Sequence, residues 1–384
     1  MRRIYLPIAI LFAATILFTI AITGCGKKSV KSNEILIGEF GSLTGTTADF
    51  GITTRNGIDL AVEEINKSGG VLGKKIKLIV EDDRSDPAEA KTVVTKLVMQ
   101  DRVVAVLGEV ASSRTLAAAP VCQAAKIPII SPSSTNPEVT QIGDYVFRIC
   151  FVDDFQGAIC AKFAVDNLKL KKAAILKDIK NDYSVGLADS FKNTFKKLGG
   201  IIVVEQSYSE GDTDFSSQLT AMKAKKPDII FVPGYYQEVA LIARKARQLG
   251  ITAPMLGGDG WDSSTLIPNS GGALEGSYFS NHYDAAMGGP EVKAFVASYR
   301  KRFGGKAPNA LAALGYDAMH IMADAITRAG STDGAKIRDA IAATKSFPGI
   351  TGSITLDANR NAVKPGVILQ IKNNKFNYVA TVRP

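Results

Sequence analysis

One pattern constrains this chain more than any other. Short β-rich runs alternate with stretches of helical period, and the alternation runs through twice. In the first series, Ile35 to Phe40, Ile76 to Val80, Val103 to Leu107 and Ile127 to Ile130 read as strands. A helix from about Thr53 to Lys67 places Ile58, Ala61, Val62 and Ile65 at i, i+3, i+4 and i+7, and stops at Gly69-Gly70. The next begins at Asp86-Pro87-Ala88-Glu89, with an N-cap, a proline at the first helical position and a glutamate at the third. Its apolar face is Ala90, Val93, Val94, Leu97 and Val98, and a third helix starts at Ser112. The second series has strands at Ala173 to Leu176, Ile201 to Glu205, Ile229 to Val232 and Met255-Leu256. Helices are expected near 185–198, 215–225 and 237–249, then at 290–303 and 311–329. The chain closes with β-like pieces at 352–356, 367–371 and 376–382. Strands alternating with helices predict an α/β fold with two Rossmann-like lobes, each built on a parallel sheet covered on both faces. Segments that return after both series predict several crossovers between the lobes rather than one linker.

Only Ile4 to Thr23 is apolar enough to enter a bilayer. It follows Met1-Arg2-Arg3 and ends in Ile22-Thr23-Gly24-Cys25, the basic head, apolar run and small residues of a signal peptide. The ending resembles the bacterial lipobox, in which the cysteine is lipidated and becomes the first mature residue. Residues 1–24 are therefore read as a lipoprotein signal peptide, Cys25 as the lipidation site, and residues 25–34 as a basic tether. Buried acyl chains contribute about 0.8 kcal/mol per CH2, and adjacent lysines favour anionic headgroups. The mature chain is expected to be exported and held at a membrane surface, in the periplasm or at the cell surface. Removing the leader leaves 360 of 384 residues, enough for two domains. The formal charge falls from +9 to +7, because Arg2 and Arg3 are lost. The remaining lysines are dispersed or sit beside predicted helix ends, where solvated cations suit the helix dipole, so no nucleic-acid partner is expected.

Enzyme signatures are missing. Gly69-Gly70-Val71-Leu72-Gly73-Lys74-Lys75 has the wrong glycine spacing for a P-loop and lacks Ser or Thr after the lysine. There is no Gly-x-Ser-x-Gly elbow and no His-Glu-x-x-His, and the two histidines, His282 and His320, are far apart. No catalytic residue, cofactor or metal is expected. Besides Cys25 there are Cys122, Cys150 and Cys160, so at most one internal disulfide can form. Cys150 and Cys160 either pair or remain buried thiols.

Ligands of open α/β sheets bind beyond the carboxyl ends of the strands. In the first series those ends read Gly108-Glu109-Val110-Ala111-Ser112-Ser113 and Ser131-Pro132-Ser133-Ser134-Thr135-Asn136. Both are hydroxyl clusters next to helix starts, where free backbone N–H groups favour an anion. In the second series they read Lys177 to Tyr183, Gly234-Tyr235-Tyr236-Gln237-Glu238 and Gly257-Gly258-Asp259-Gly260-Trp261-Asp262, acids and aromatics suited to a cation. A zwitterion between the lobes would have both charges paired, as burial requires.

Several stretches together resemble one family. They are Gly41-Ser42-Leu43-Thr44-Gly45, the run Asn56 to Asn66 with Gly69-Gly70, Asp82 to Pro87, Ile130 to Pro137, Val146-Phe147-Arg148 and Gly234-Tyr235-Tyr236. The chain is similar over nearly its whole mature length to the leucine/isoleucine/valine-binding proteins of bacterial ABC importers, receptors with the type I periplasmic-binding fold. The resemblance implies that Ser112, Thr135 and the Ser133 backbone, with Ser134 in the same cluster, hold a ligand carboxylate. It implies that Tyr235 and Asp259 face the ammonium, that Tyr183 lines the cleft, that Phe50 covers the ligand, and that Val110 and Ala111 open the side-chain pocket. Some members carry a disulfide between positions that are Ser85 and Ala111 here, so that staple is absent.

The expectation is a lipid-anchored monomer that closes by a hinge on an L-amino acid of the branched-chain or aliphatic kind, and delivers it to the permease subunits of an ABC importer. Lobe one is expected at 35–152 plus 283–352, and lobe two at 153–282 plus 353–384. The rival within binding proteins is a receptor or sensor for another small solute, an amide, a γ-amino acid or an aromatic acid.

Overall fold

A computed structural model describes residues 33–285 and 288–383. The expected signal peptide, Cys25 and nearly all of the tether lie outside the described residues.

Nine elements alternate through the first series: β1 (Glu34–Gly41), α1 (Ala48–Lys67), β2 (Lys75–Asp82), α2 (Pro87–Met99), β3 (Ala105–Leu107), α3 (Ser112–Ala125), β4 (Ile129–Ser131), α4 (Glu138–Gln141) and β5 (Val146–Arg148). The five strands form one parallel sheet in the order β2-β1-β3-β4-β5. Successive strand residues point to opposite faces, and the packing follows that period. Ala105, Leu107, Ile130 and Phe147 join Ile58, Ala61 and Ile65 of α1 on one side. Val106, Ile129 and Val146 meet Val94 and Leu97 of α2 and Ala118 and Cys122 of α3 on the other. The cap read at Asp86 is formed: its Oδ1 accepts from the N–H groups of Ala88 at 2.8 Å and Glu89 at 2.9 Å.

The chain then leaves the first sheet through α5 (Asp153–Lys162), which ends in a π-type turn at Phe163–Asn167. It enters β6 (Lys172–Asp178), α6 (Asp182–Lys197), β7 (Ile201–Tyr208), α7 (Ser216–Ala224), β8 (Ile229–Phe231), α8 (Tyr236–Gln248), β9 (Met255–Gly257), a 3-10 turn at Asp259–Trp261, α9 (Leu266–Ser270) and β10 (Tyr278–Asn281). It continues through α10 (Pro290–Arg302), α11 (Ala310–Ala329), α12 (Gly334–Ala342) and a small antiparallel sheet of β11 (Phe347–Gly349), β12 (Gly352–Leu356) and β13 (Ala362–Val363). It ends in β14 (Gly366–Lys372) and β15 (Lys375–Val382). The second large sheet runs β15-β14-β10-β9-β8-β6-β7. It is not wholly parallel, as the alternation alone predicted: β14 pairs antiparallel with both β10 and β15. A hairpin needs no crossover helix, so the end of the chain closes one sheet edge cheaply.

α11 follows the second series in sequence yet packs along α1. The two backbones nearly touch. A Cβ on Gly57 would stand 1.9 Å from the Ala312 carbonyl oxygen, and one on Gly315 would stand 2.4 Å from that of Thr54. Each glycine costs a helix interior about 1 kcal/mol against alanine, and close packing across the pair offsets that. The fold is thus a two-lobed α/β architecture whose chain passes between the two sheets after β5, after β10 and again before β14. Cys122, Cys150 and Cys160 are buried free thiols, so the possible Cys150–Cys160 disulfide is not formed.

Candidate functional site

Loops beyond the carboxyl ends of both sheets face one another. Phe50, Val110, Ser133, Tyr183, Tyr235, Asp259, Gly260 and Leu311 line one small cavity between them. Ala111, Ser112, Ser134 and Thr135 are buried in the same two first-sheet loops but do not line it. Ser134 Oγ bonds the carbonyls of Glu109 (2.9 Å) and Val110 (3.1 Å), which fixes the loop that carries Val110. Ser112 Oγ accepts from the Asn136 N–H at 3.2 Å and so joins the two loops. The Thr135 carbonyl accepts from the Asp153 N–H at 2.9 Å at the start of α5.

Below these loops lies a buried charged network. Glu109 Oε1 accepts from the Ser42 N–H (3.3 Å) and hydroxyl (3.1 Å), while Arg114 Nε stands 3.4 Å from Glu109 Oε2. Arg114 also donates to the Ser85 carbonyl at 3.3 Å and to the Thr47 hydroxyl. Burial and the neighbouring Glu109 charge push the Asp83 carboxyl up to about 7. These bonds tie Ser42, Thr47, Ser85 and Glu109 together beneath the loop, while Asp83 Oδ2 and Arg114 Nε have no hydrogen-bond partner among the described residues.

The opposite wall is aromatic and acidic. Tyr183 and Tyr235 stack with ring centroids 5.4 Å apart at 11°, and Phe50 from α1 meets Tyr235 edge-on at 5.4 Å and 88°. Tyr183 Oη accepts from the Gly260 N–H at 3.2 Å. A Cβ on Gly258 would lie 2.4 Å from Tyr183 Oη, and one on Gly260 would lie 2.9 Å from Tyr235 Cδ1, so the two glycines make room for the rings. Asp259 is nearly buried. Its Oδ1 accepts from Gln156 Nε2 at 2.8 Å, its Oδ2 lies 2.9 Å from His282 Nε2, and Ser133 Oγ reaches Oδ2 from the first-sheet side at 3.4 Å. Such a carboxylate, walled by neutral donors and phenol rings, can hold a cation. Among the described residues no cluster of three or more His, Cys, Asp or Glu side chains could hold a metal ion.

Other acids of the predicted wall hold turns instead. Asp178 Oδ1 accepts from the N–H groups of Lys180 (2.9 Å) and Glu210 (3.1 Å), Glu238 Oε1 from that of Gly211 (3.2 Å), and Asp262 Oδ2 from that of Ala310 (2.8 Å). Sequence reasoning missed Gln156, His282 and Leu311. Gln156 lies on α5, whose acidic first turn, Asp153-Asp154, is its one visible signal; His282 follows β10, a strand that the hydrophobic pattern does not mark.

Around the cavity the two halves bond directly. Asp49 Oδ2, in the first turn of α1, accepts from Ser263 Oγ (2.7 Å) and the Ser264 N–H (3.2 Å). Thr46 Oγ1 donates to Glu210 Oε1 at 2.7 Å, Tyr236 Oη to the Thr46 carbonyl at 3.2 Å, and Asn136 Nδ2 to the Asp182 carbonyl at 2.9 Å.

Two α/β lobes with a polar and aromatic cavity between their strand-end loops define a solute receptor of the binding-protein class. The model of the periplasmic binding protein family matches residues 34–375, and the chain belongs to that family, within its branched-chain amino acid-binding group. A leucine-, isoleucine-, valine-, threonine- and alanine-binding protein of Pseudomonas aeruginosa is 32% identical over 349 residues, 90% of this chain and 91% of that one. A leucine-binding protein of Thermotoga maritima superposes with a TM-score of 0.88 at 42% identity, over 91% of this chain and 99% of the other. The branched-chain amino acid transporter substrate-binding protein of Streptococcus pneumoniae, solved with isoleucine, gives 0.86 at 37%, over 91% and 100%.

Proposed function

We propose that this chain is an extracytoplasmic receptor for an L-amino acid with an aliphatic side chain, which it hands to an ABC importer. The observation that carries the reading is the Asp259 carboxylate beside Tyr183 and Tyr235, opposite the hydroxyl-bearing 133–135 loop, with Val110, Phe50 and Leu311 as apolar lining. In this reading the ammonium rests on Asp259 and the tyrosines. The ligand's carboxylate takes N–H and hydroxyl groups of the Ser112 and Ser133–Thr135 loops, and its side chain lies against Phe50, Val110 and Leu311. The names of the relatives, receptors for leucine and its neighbours, support the same ligand class. Lobes at 35–152 plus 283–352 and 153–282 plus 353–384 would close on the ligand because each completes the other's shell, so the ligand favours the closed form. Anchoring through Cys25 belongs to the same proposal.

Calorimetry of the mature chain against L-leucine, L-isoleucine, L-valine, L-alanine, 4-methylpentanoate and benzoate tests it. L-Leucine, L-isoleucine or L-valine should bind most tightly, and 4-methylpentanoate, leucine without its amino group, at least about a hundredfold more weakly than L-leucine, since an unpaired buried carboxylate costs several kcal/mol. Equal binding of the two, or a preference for benzoate, would remove the ammonium from the site.

A further inference from the structure

We infer that His282 is a positioning residue: it donates a neutral Nε2–H to Asp259, leaves that carboxylate's charge for the ligand, and on protonation closes the site to amino acids. The inference rests on the amino-acid reading above. His282 stands where the chain leaves β10 for the first lobe, and it is 2% exposed. Its ring stacks on Phe151, between β5 and α5, with centroids 3.7 Å apart at 26°. Nε2 is 2.9 Å from Asp259 Oδ2, and Gln156 Nε2 holds the other oxygen at 2.8 Å. Two donors from two different segments therefore fix both carboxylate oxygens, and a glutamine carries no charge.

The ring's protonation state follows from its surroundings. Nδ1 has no hydrogen-bond partner among the described residues, so a neutral ring places its single proton on Nε2, where an acceptor waits. A second proton would leave a buried N–H on Nδ1 without an acceptor. The charged groups facing the imidazole are Asp259, and Lys364 from the segment between β13 and β14. Around Asp259 stand further Asp153 on α5, Asp262 after the 3-10 turn, Tyr183 on α6 and the Cys160 thiol. Burial holds the imidazole below its usual range and Lys364 adds to that, while Asp259 pulls it back up. A protonated ring would pair with Asp259 and cancel the charge that the ligand's ammonium needs. Acid then competes with the ligand, and a lysine or arginine in this place would compete at every pH.

Titration of the mature chain with L-leucine from about pH 8 to about pH 5, at constant circular dichroism, tests this. Wild type should lose affinity toward acid by up to about tenfold per pH unit, the slope of one competing proton. His282→Phe keeps the stacking ring but neither donates nor titrates. It should bind at least about tenfold more weakly at neutral pH and show no acid slope. His282→Gln restores an amide donor that cannot titrate. It should recover most of what Phe loses, again without the slope. Long-range 15N–1H spectra, assigned with a His320→Gln variant, should show the Nε2–H tautomer at His282. An Nδ1–H tautomer, wild-type affinity in the Phe variant, or an acid slope kept by the Gln variant would each overturn the inference. If wild type binds no L-amino acid at any pH, the functional reading falls instead. The tautomer then decides the His282–Asp259 bond by itself, even if the Phe variant fails to fold.

Discussion

Asp259 and Glu39 are both nearly buried acids, and their settings differ. Asp259 is surrounded by donors on both oxygens. Asp259→Ala should lower amino-acid affinity by at least about a hundredfold, because a desolvated ammonium would lose its counter-charge, with secondary structure unchanged by circular dichroism. Glu39 shares a strand face with Ile35 and Ile37, so the period of two drives an acid into the core under α1. Its Oε2 has no hydrogen-bond partner among the described residues, and burial pushes the carboxyl up to about 8, aided by Asp59 and opposed by Arg55. The native state then holds a proton that the unfolded chain releases near its ordinary value. This contribution is complete below that value and is lost as pH rises through about 8. Glu39→Gln should thus gain on wild type with rising pH, by on the order of 5 kcal/mol above about pH 8, read as urea midpoints across the range. Asp259 was legible because a strand-end acid is a local signal. His282 was not, since its role depends on a ring stack and a bond that join segments far apart in the chain.

At the level of elements, caps were the most readable feature and buried connectors the least. Asp86-Pro87 announced α2, and the two cap bonds are formed. Asp86→Ala should cost about 1 kcal/mol in chemical unfolding and leave ligand affinity unchanged. By contrast α5 has no side-chain cap and little amphipathic contrast, because Gln156, Gly157, Ile159, Cys160 and Ala161 are all buried. A helix covered on most sides shows no period of 3.6 to read. Neither β5 nor β10 shows in the pattern, because β5 ends in Arg148 and β10 in Ser280-Asn281, which leaves each only two apolar residues in a row. The antiparallel ending of the second sheet was likewise invisible, since direction depends on which edge a returning strand meets.

For the molecule as a whole, alternation foretold two lobes, but nothing local could place α11 against α1. That contact depends on Gly57 meeting the backbone of Ala312, and Gly315 that of Thr54, partners far apart in sequence. The direct bonds between halves bear on function at this scale. Asp49 is matched to Ser263 and Ser264, so Asp49→Ala should shift the balance toward an open form. Ligand release in stopped flow should quicken by about three- to tenfold with little change in capture, as interface losses fall mainly on off-rates.

The three interior cysteines have a practical corollary. Burial pushes the thiols of Cys122, Cys150 and Cys160 up to about 12, which leaves them nearly inert to maleimide at neutral pH. A single cysteine placed at Ser264, on the rim, would therefore be the preferred attachment point for a dye in a chain begun after Cys25. Its fluorescence would report cargo directly, and the receptor could serve as an optical gauge without any native sulfur being replaced.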